Sequence, residues 1–210
     1  MIRLGILISG RGSNFVAIAD NIAKGKLAAQ IAVVISNQPD AAGIAAARER
    51  GLKCVVLPSR GVKREEHDRA VASALREAGA ELIILAGYMR LLSPWFISEF
   101  AGKILNIHPS LLPAFPGLEA QRQALEYGVQ VSGCTVHFVD EHLDHGAIIL
   151  QKTVPVLPTD DEHTLADRIL VEEHIAYSEG IALVASGKYR IEGRRVLPAG
   201  ATAGSADSSK

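Results

Sequence analysis

Short apolar runs alternate with amphipathic segments along the first half of the chain. The amphipathic segments repeat apolar residues at helical spacing and span residues 15–26, 41–50, 63–78 and 93–100. The apolar runs have the length and the aliphatic character of buried strands and span residues 2–8, 29–36, 53–58, 80–87 and 103–107. Strands that alternate with helices indicate a mainly parallel, doubly wound (Rossmann-like) α/β sheet.

The order of elements changes in the second half of the chain. A helix predicted over residues 119–128 is followed by two β runs, 131–139 and 147–156, with no helical pattern between them. The link between these runs, "DEHLDHG", is short and polar, as in a β-hairpin. We therefore predict an antiparallel hairpin added to the parallel sheet, then a long helix over Asp161–Ala185 and a weak strand near residues 194–198.

The composition narrows the class of protein. The chain has 210 residues, of which 48% are hydrophobic, and its formal net charge is −1. These values fit one packed domain, which we expect over residues 1–197, and they give no reason to expect a nucleic-acid or membrane partner. The apolar runs fall well short of the roughly 20 residues that a membrane span needs. The small and polar residues 198–210 are predicted to form a disordered tail.

Two features of the sequence favour the reducing cytoplasm. Cys54 and Cys134 each lie in an apolar β-like run, where buried free thiols are common. The first residues, "MIRLGILISG", have the pattern of a strand rather than that of a cleavable signal peptide. We therefore expect a cytoplasmic protein with free thiols.

A glycine-rich loop, "SGRGSN", joins the first predicted strand to the first helix. Backbone amides at Gly12, together with the helix dipole and the side chains of Ser13 and Asn14, favour a bound phosphate. The loop lacks the Gly-Lys-Ser/Thr of a Walker motif, and Phe15 occupies the position of the third glycine in a dinucleotide fingerprint. A single phosphate is therefore favoured over a dinucleotide, and the alternative is a plain turn in which Ser13 caps the helix.

The stretch "ILNIHPSLLPAFPG" begins as an apolar strand and then presents polar residues. Asn106 and His108 are two positions apart, so in a strand their side chains share one face. An amide can stabilise the oxyanion of a reacting carbonyl, and an imidazole can donate or accept a proton. A carboxylate near the imidazole would orient it, and the hairpin link offers Asp140, Glu141 and Asp144 without a basis for choosing among them.

The polar clusters are expected to meet at one edge of the sheet. Ligands in open α/β sheets bind at the carboxyl ends of the strands. The first strand ends at "SGRGSN", the fourth at "AGYMRLLSP" and the fifth at "NIHPS", so all three loops lie at that edge. Ser110 lacks the flanking glycines of a nucleophile elbow, which favours direct transfer without a covalent enzyme intermediate.

The hairpin region also contains three histidines and two acids that could bind a metal, namely His137, His142, His145, Asp140 and Asp144. Their spacing matches neither the HExxH motif nor a cysteine-rich zinc pattern. We therefore predict no metal site.

Taken together, these motifs resemble those of the folate-dependent formyltransferases. The segments "LISGRGSN", "LAGYMRLLSPWF", "ILNIHPSLLPAFPG" and "VSGCTVHFVDEHLDHGAIILQ" occur in the family's order and spacing, and the resemblance covers about residues 1–197. The loop "SGRGSN" is similar to that of the phosphoribosylglycinamide formyltransferases of purine synthesis. The resemblance implies the formyltransferase fold, 10-formyltetrahydrofolate as co-substrate, small-molecule partners only, and a monomer or homodimer.

The resemblance also implies a role for particular residues. The catalytic trio would be Asn106, His108 and Asp144, which act on a tetrahedral intermediate formed by direct attack of the substrate amine. Substrate binding would fall to Gly12, Ser13 and Asn14 for the phosphate and to Glu173 for the amine. The folate side would consist of Arg64, Met89, Arg90, Leu91, Leu92, Asn106 and Asp140.

The chain departs from the family's pattern at four positions. Glu119 and Gln121 stand where many relatives carry histidine, and Ser178 stands where proline is expected. His145 follows Asp144 where glycine is common, and we expect its side chain to face solvent. None of these departures removes a member of the catalytic trio.

Other functions remain open on the sequence alone. A formyltetrahydrofolate deformylase, or a formyltransferase that acts on a different amine, would share most of these motifs. A non-catalytic nucleotide-binding module would keep the glycine loop but would not need Asn106, His108 and Asp144 together.

Overall fold

The computed structural model describes residues 1–200, which form nine strands and six helices. The strands are β1 Ile2–Ile8, β2 Ala29–Ser36, β3 Cys54–Val56, β4 Leu82–Leu85, β5 Ile104–His108, β6 Val131–Phe138, β7 Ile148–Pro155, β8 Tyr189–Glu192 and β9 Arg195–Pro198. The helices are α1 Ser13–Ala23, α2 Ala42–Glu49, α3 Arg64–Glu77, α4 Pro94–Glu99, α5 Ala120–Tyr127 and α6 Glu162–Ser186.

All nine strands belong to one sheet in the order β3-β2-β1-β4-β5-β6-β7-β9-β8. The five strands from β3 to β5 are parallel, whereas β6 pairs antiparallel with both β5 and β7. This arrangement confirms the predicted doubly wound sheet with an antiparallel hairpin. Strand β1 has β2 on one side and β4 on the other, so the order of the strands reverses at β1. Folds of this kind bind ligands in the crevice that this reversal creates.

Apolar side chains cover both faces of the sheet. Alternate residues of β1 point to opposite faces, so Ile6 packs with α1 and α6 while Leu7 packs with α3 and α4. Each face therefore has its own buried layer, centred on residues such as Phe15 and Tyr177 on one side and Leu75 and Phe96 on the other.

Helix α6 lies unusually close to the sheet. A Cβ atom at Gly180 would lie 2.8 Å from Cγ1 of Val136 in β6, so only glycine permits this separation. One turn earlier, the Tyr177 hydroxyl donates to the carbonyl oxygens of Leu85 and Leu105, at 2.9 and 3.0 Å. These contacts fix α6 against β4, β5 and β6, the strands beside the candidate site.

Two predicted boundaries differ from the structure. The hairpin of β8 and β9 contains a strand, Tyr189–Glu192, that the sequence pattern did not indicate. Pro198 ends β9, so the tail predicted from residue 198 begins inside a strand, and residues 201–210 lie outside the described part of the chain. Among the helices that the structure describes, none combines the length and apolarity of a membrane span.

Candidate active site

The carboxyl end of β5 presents Asn106 and His108, as the sequence predicted. Antiparallel pairing with β6 places His137 opposite Asn106. The side-chain amide nitrogen of Asn106 lies 3.2 Å from Nε2 of His137. The Asn106 side chain is therefore oriented by a neighbour on the next strand, with its nitrogen towards the imidazole.

Asp144 is the hairpin acid that reaches the imidazole of His108. Its Oδ2 lies 3.4 Å from Nδ1 of His108 and accepts a 2.8 Å hydrogen bond from the backbone N–H of Gly117. Its Oδ1 lies 3.8 Å from Nε2 of His137. Asp140 instead accepts from the ring of His145, so the structure selects Asp144 from the three acids that the sequence left open.

Both ring nitrogens of His108 face oxygen atoms. While Nδ1 faces Asp144, Nε2 lies 2.8 Å from the carbonyl oxygen of Phe115 in the loop after β5. A carbonyl oxygen only accepts, so Nε2 donates to Phe115 and leaves Nδ1 facing the carboxylate of Asp144. The His108 side chain is buried, which strengthens both contacts.

His137 is a site residue that the sequence reasoning considered only as a metal ligand. Its Nδ1 lies 2.8 Å from the backbone carbonyl of Phe138 and donates to it, which leaves Nε2 as an acceptor for Asn106. Burial lowers the pKa of His137 and so favours this neutral form, against the opposing effects of the Phe138 carbonyl and of Asp144. Cross-strand pairing could have revealed this role, but only once β6 was known to pair with β5.

An open pocket of ≈ 340 Å³ borders the catalytic side chains. Asn106, His137 and Asp144 line it, and His108 is connected to it through Asp144. The residues predicted for the folate side that line the same pocket are Arg64, Arg90, Leu91, Leu92 and Asp140. The structure thus brings most of the predicted folate residues to the predicted catalytic residues.

The folate-side residues have different local roles. Arg90 donates to the backbone carbonyls of Ser59 and Val62, so its guanidinium braces the loop before α3. Leu91 is 60% exposed and Met89 is 75% exposed. Leu92, by contrast, packs against the buried layer that contains Phe96. Leu91 is therefore available to a ligand, whereas Leu92 also serves the core.

The glycine loop presents the open N-terminus of α1. Gly12 is the N-cap in the left-handed conformation, with φ 70°, and Ser13 is the first helical residue. The alternative in which Ser13 caps the helix is therefore wrong. Within residues 1–200, α1 has no side-chain hydrogen bond at its N-cap, which suits an anion. A Cβ on Gly12 would lie 3.2 Å from Cα of Gly43.

Asn14 and Glu173 connect this loop to α6. The side-chain amide of Asn14 donates to Oε2 of Glu173 at 2.7 Å. Both side chains are buried, and burial raises the pKa of Glu173 although the bond from Asn14 opposes the shift. Glu173 lies one helical turn from Tyr177, which contacts the carbonyl of Leu105 beside Asn106.

Three of the four unusual residues have identifiable contacts. Glu119 is the left-handed N-cap of α5 and forms an ion pair with Arg122. The Ser178 hydroxyl accepts a 2.8 Å hydrogen bond from Asn21, which joins α6 to α1. His145 is half-exposed, so it faces solvent in part, but its Nδ1 also lies 2.9 Å from Oδ2 of Asp140.

Comparison with known proteins identifies the family. The profile of the family described as "Formyl transferase" matches residues 2–181. The trifunctional purine biosynthetic protein adenosine-3 of Drosophila pseudoobscura pseudoobscura is 48% identical over 90% of the chain, which spans only 14% of that protein. The phosphoribosylglycinamide formyltransferase of Escherichia coli K12 is 40% identical over 93% of the chain and 96% of its own length.

A solved structure agrees with these sequence matches. The glycinamide ribonucleotide transformylase 1 of Symbiobacterium toebii is 52% identical, with a TM-score of 0.92 over 94% of both chains. This similarity confirms the resemblance seen in the motifs. The chain therefore belongs to the formyl transferase family.

Proposed function

We propose that this protein transfers a formyl group from 10-formyltetrahydrofolate to the amine of phosphoribosylglycinamide, a step of purine biosynthesis. The names of its relatives support this acceptor and this pathway. The observation that carries the proposal is the convergence of Asn106, His108 and Asp144 beside a pocket that most of the folate-side residues line.

The formyl donor would occupy the ≈ 340 Å³ pocket. Exposed Leu91 offers an apolar surface to a flat ring system, and Arg64 and Asp140 offer polar groups on the same wall. A pterin bound there would place the formyl carbon next to Asn106.

The acceptor would bind at the neighbouring strand ends. Its phosphate would lie on the open N-terminus of α1, where the backbone of Gly12, Ser13 and Asn14 supplies donors. Its amine would approach the Glu173 carboxylate, which Asn14 already holds in place. Both reactants would then meet at the end of β5.

The reaction requires a group that stabilises negative charge on the formyl oxygen. The neutral amine attacks the formyl carbon, and the carbonyl oxygen becomes an oxyanion. Asn106 has one amide hydrogen directed at His137 and a second one that could bind this oxygen, and protonated His108 would exchange the Phe115 carbonyl for the oxyanion. Each such donor lowers the barrier by about 3–4 kcal/mol.

Proton transfer would complete the reaction. The attacking nitrogen must lose a proton, and N10 of the folate must gain one to leave as a neutral amine. Asp144 lies between the pocket and His108, so it can hold the imidazole in its charged form and relay the proton directly or through water.

We also infer the setting of the reaction. A formal charge of −1 and free cysteines suit a cytoplasmic enzyme whose partners are small molecules rather than nucleic acids or membranes. We further propose a monomer or a homodimer in which residues of one chain form the site described above.

A formyl-transfer assay tests the proposal. We expect formylation of phosphoribosylglycinamide, detected by mass, with release of tetrahydrofolate. The same reaction without the acceptor tests for a deformylase, since formate release at an equal rate would contradict the proposed acceptor. Asn106→Ala should bind both substrates and lose activity about a hundredfold or more. Absence of turnover in the wild-type protein would instead indicate a binding module.

A further inference from the structure

We propose that Asp140, His142 and His145 form a binding site for a divalent transition-metal ion such as Zn²⁺ or Ni²⁺. The three residues lie within six positions of the β6–β7 link, and none of them belongs to the catalytic trio. The sequence spacing matched no common zinc motif, so the geometry carries this inference.

One ligand atom from each residue lies within 4.8 Å of the other two. Nδ1 of His145 is 2.9 Å from Oδ2 of Asp140, and the ring centroids of His142 and His145 are 5.1 Å apart. The backbone N–H of His142 also donates to Oδ1 of Asp140 at 2.9 Å, which holds the link in a tight turn. All three side chains thus approach one point from a short, continuous segment.

The ligand chemistry selects the class of ion. Two imidazoles and a carboxylate suit Zn²⁺, Ni²⁺ or Cu²⁺ rather than Mg²⁺ or Ca²⁺, which prefer oxygen alone. Bonds of about 2.0–2.1 Å in a tetrahedron require ligand atoms roughly 3.4 Å apart. Because His142 and His145 are exposed, rotation of their side chains can close the remaining distance, and water can fill the fourth position.

An ordinary surface ion pair does not explain the whole cluster. Asp140 and His145 alone would form such a pair, and it would be worth little because both side chains are well exposed to solvent. That pair does not require a second imidazole, yet the ring of His142 also lies beside it, with its centroid 5.1 Å from that of His145. A shared cation gives all three residues a common partner.

The position of this site gives it a consequence for catalysis. Asp140 and His142 also line the ≈ 340 Å³ pocket. An ion held by their side chains would occupy polar groups of the pocket wall and oppose binding of the formyl donor. This second part rests on the proposed function, and it predicts that the ion raises the KM for the donor more than it lowers kcat.

Metal titration of the tag-free full chain tests the site without any substrate. Calorimetry with Zn²⁺ and with Ni²⁺ should give one ion per chain, and Co²⁺ should give visible absorption bands of a nitrogen-ligated ion. His145→Ala and His142→Ala should each weaken binding about tenfold or more. His163→Ala, which removes an exposed histidine on α6, should leave binding unchanged. Circular dichroism should report the same fold for all three variants.

The outcomes separate the two proposals. The metal site would be overturned if the wild type bound no ion at a concentration of about 0.1 mM. It would also be overturned if His145→Ala and His142→Ala bound the ion as tightly as the wild type. With the site present, Zn²⁺ should raise the donor KM in the wild type and in His163→Ala but not in His145→Ala, and an equal KM effect in all three would overturn the inhibitory role. A protein that binds Zn²⁺ as expected but transfers no formyl group would contradict only the proposed function.

Discussion

Asn14 donates a hydrogen bond of 2.7 Å to Glu173, although the two residues lie 159 positions apart along the chain. The bond joins the glycine loop to α6 in the interior of the protein. Because the carboxyl group is buried, its pKa lies above the ordinary value of 4.5, despite the stabilising bond from Asn14. The native state therefore retains the Glu173 proton at pH values where the unfolded chain has lost it.

Glu173→Gln should become more stable relative to the wild type as the pH rises. Between pH 4.5 and the higher native pKa, the native wild type binds more protons than the unfolded chain, so its free energy of unfolding falls with rising pH. Glutamine keeps an acceptor for Asn14 but does not titrate. Urea denaturation across this range measures the difference, and parallel curves would contradict the raised pKa of Glu173. Glu172→Gln, at the less buried neighbour, is the control.

Asp144→Asn should reduce turnover about a hundredfold or more. The amide can still accept from Gly117 N–H, but it removes the negative charge beside His108. Steady-state kinetics with both substrates measures the effect, and Glu141→Gln removes an exposed acid from the same link as a control. Nearly normal turnover in Asp144→Asn would exclude the proposed role of this carboxylate.

His137→Leu should lower kcat about tenfold while KM for both substrates changes little. The variant leaves the Asn106 amide without the acceptor that now orients it. His137→Gln offers an oxygen to Asn106 and a donor to the Phe138 carbonyl, so it should restore part of the loss. If leucine and glutamine gave the same kcat, the hydrogen bond to Asn106 would not explain the effect.

Inorganic phosphate should compete with phosphoribosylglycinamide for the glycine loop. Gly12→Ala should weaken the binding of both molecules. Alanine at position 12 faces a left-handed φ of 70° and a contact of 3.2 Å with Gly43 Cα. The backbone strain alone costs about 1–2 kcal/mol. Gly25→Ala is the matched control, since Gly25 has φ 69° but open space around its Cβ. Inhibition constants and acceptor KM measure the result, and equal affinity in both variants would place the phosphate elsewhere.

Residue patterns predicted much of the fold because burial imposes strong periodicity. The apolar runs of β1, β2 and β4 are buried on both faces, and the run of β5 correctly placed Asn106 and His108 on one side. Strand β8 was missed because its residues are half-buried or exposed and carry no such pattern. Its pairing with β9 depends on contacts that no local pattern encodes.

The site was only partly predictable for the same reason. The choice of Asp144 depends on its left-handed backbone, with φ 50°, which no side-chain pattern indicated. Identifying His137 as a site residue required knowledge that β5 pairs with β6, and that topology follows from the whole sheet. The start of α1 also differs, since the predicted helical pattern began at residue 15 whereas the helix begins at Ser13.

The close contact between Gly180 and Val136 joins α6, which carries Glu173, to β6, which leads into the turn of Asp144. Glu173 lies seven positions before Gly180, a rise of about 10 Å along α6 that the helix itself keeps constant. Asp144, by contrast, belongs to a turn between two strands. The carboxylate near the acceptor is therefore held by a helix, whereas the carboxylate near the imidazole is held by a turn whose preceding strand packs on that same helix.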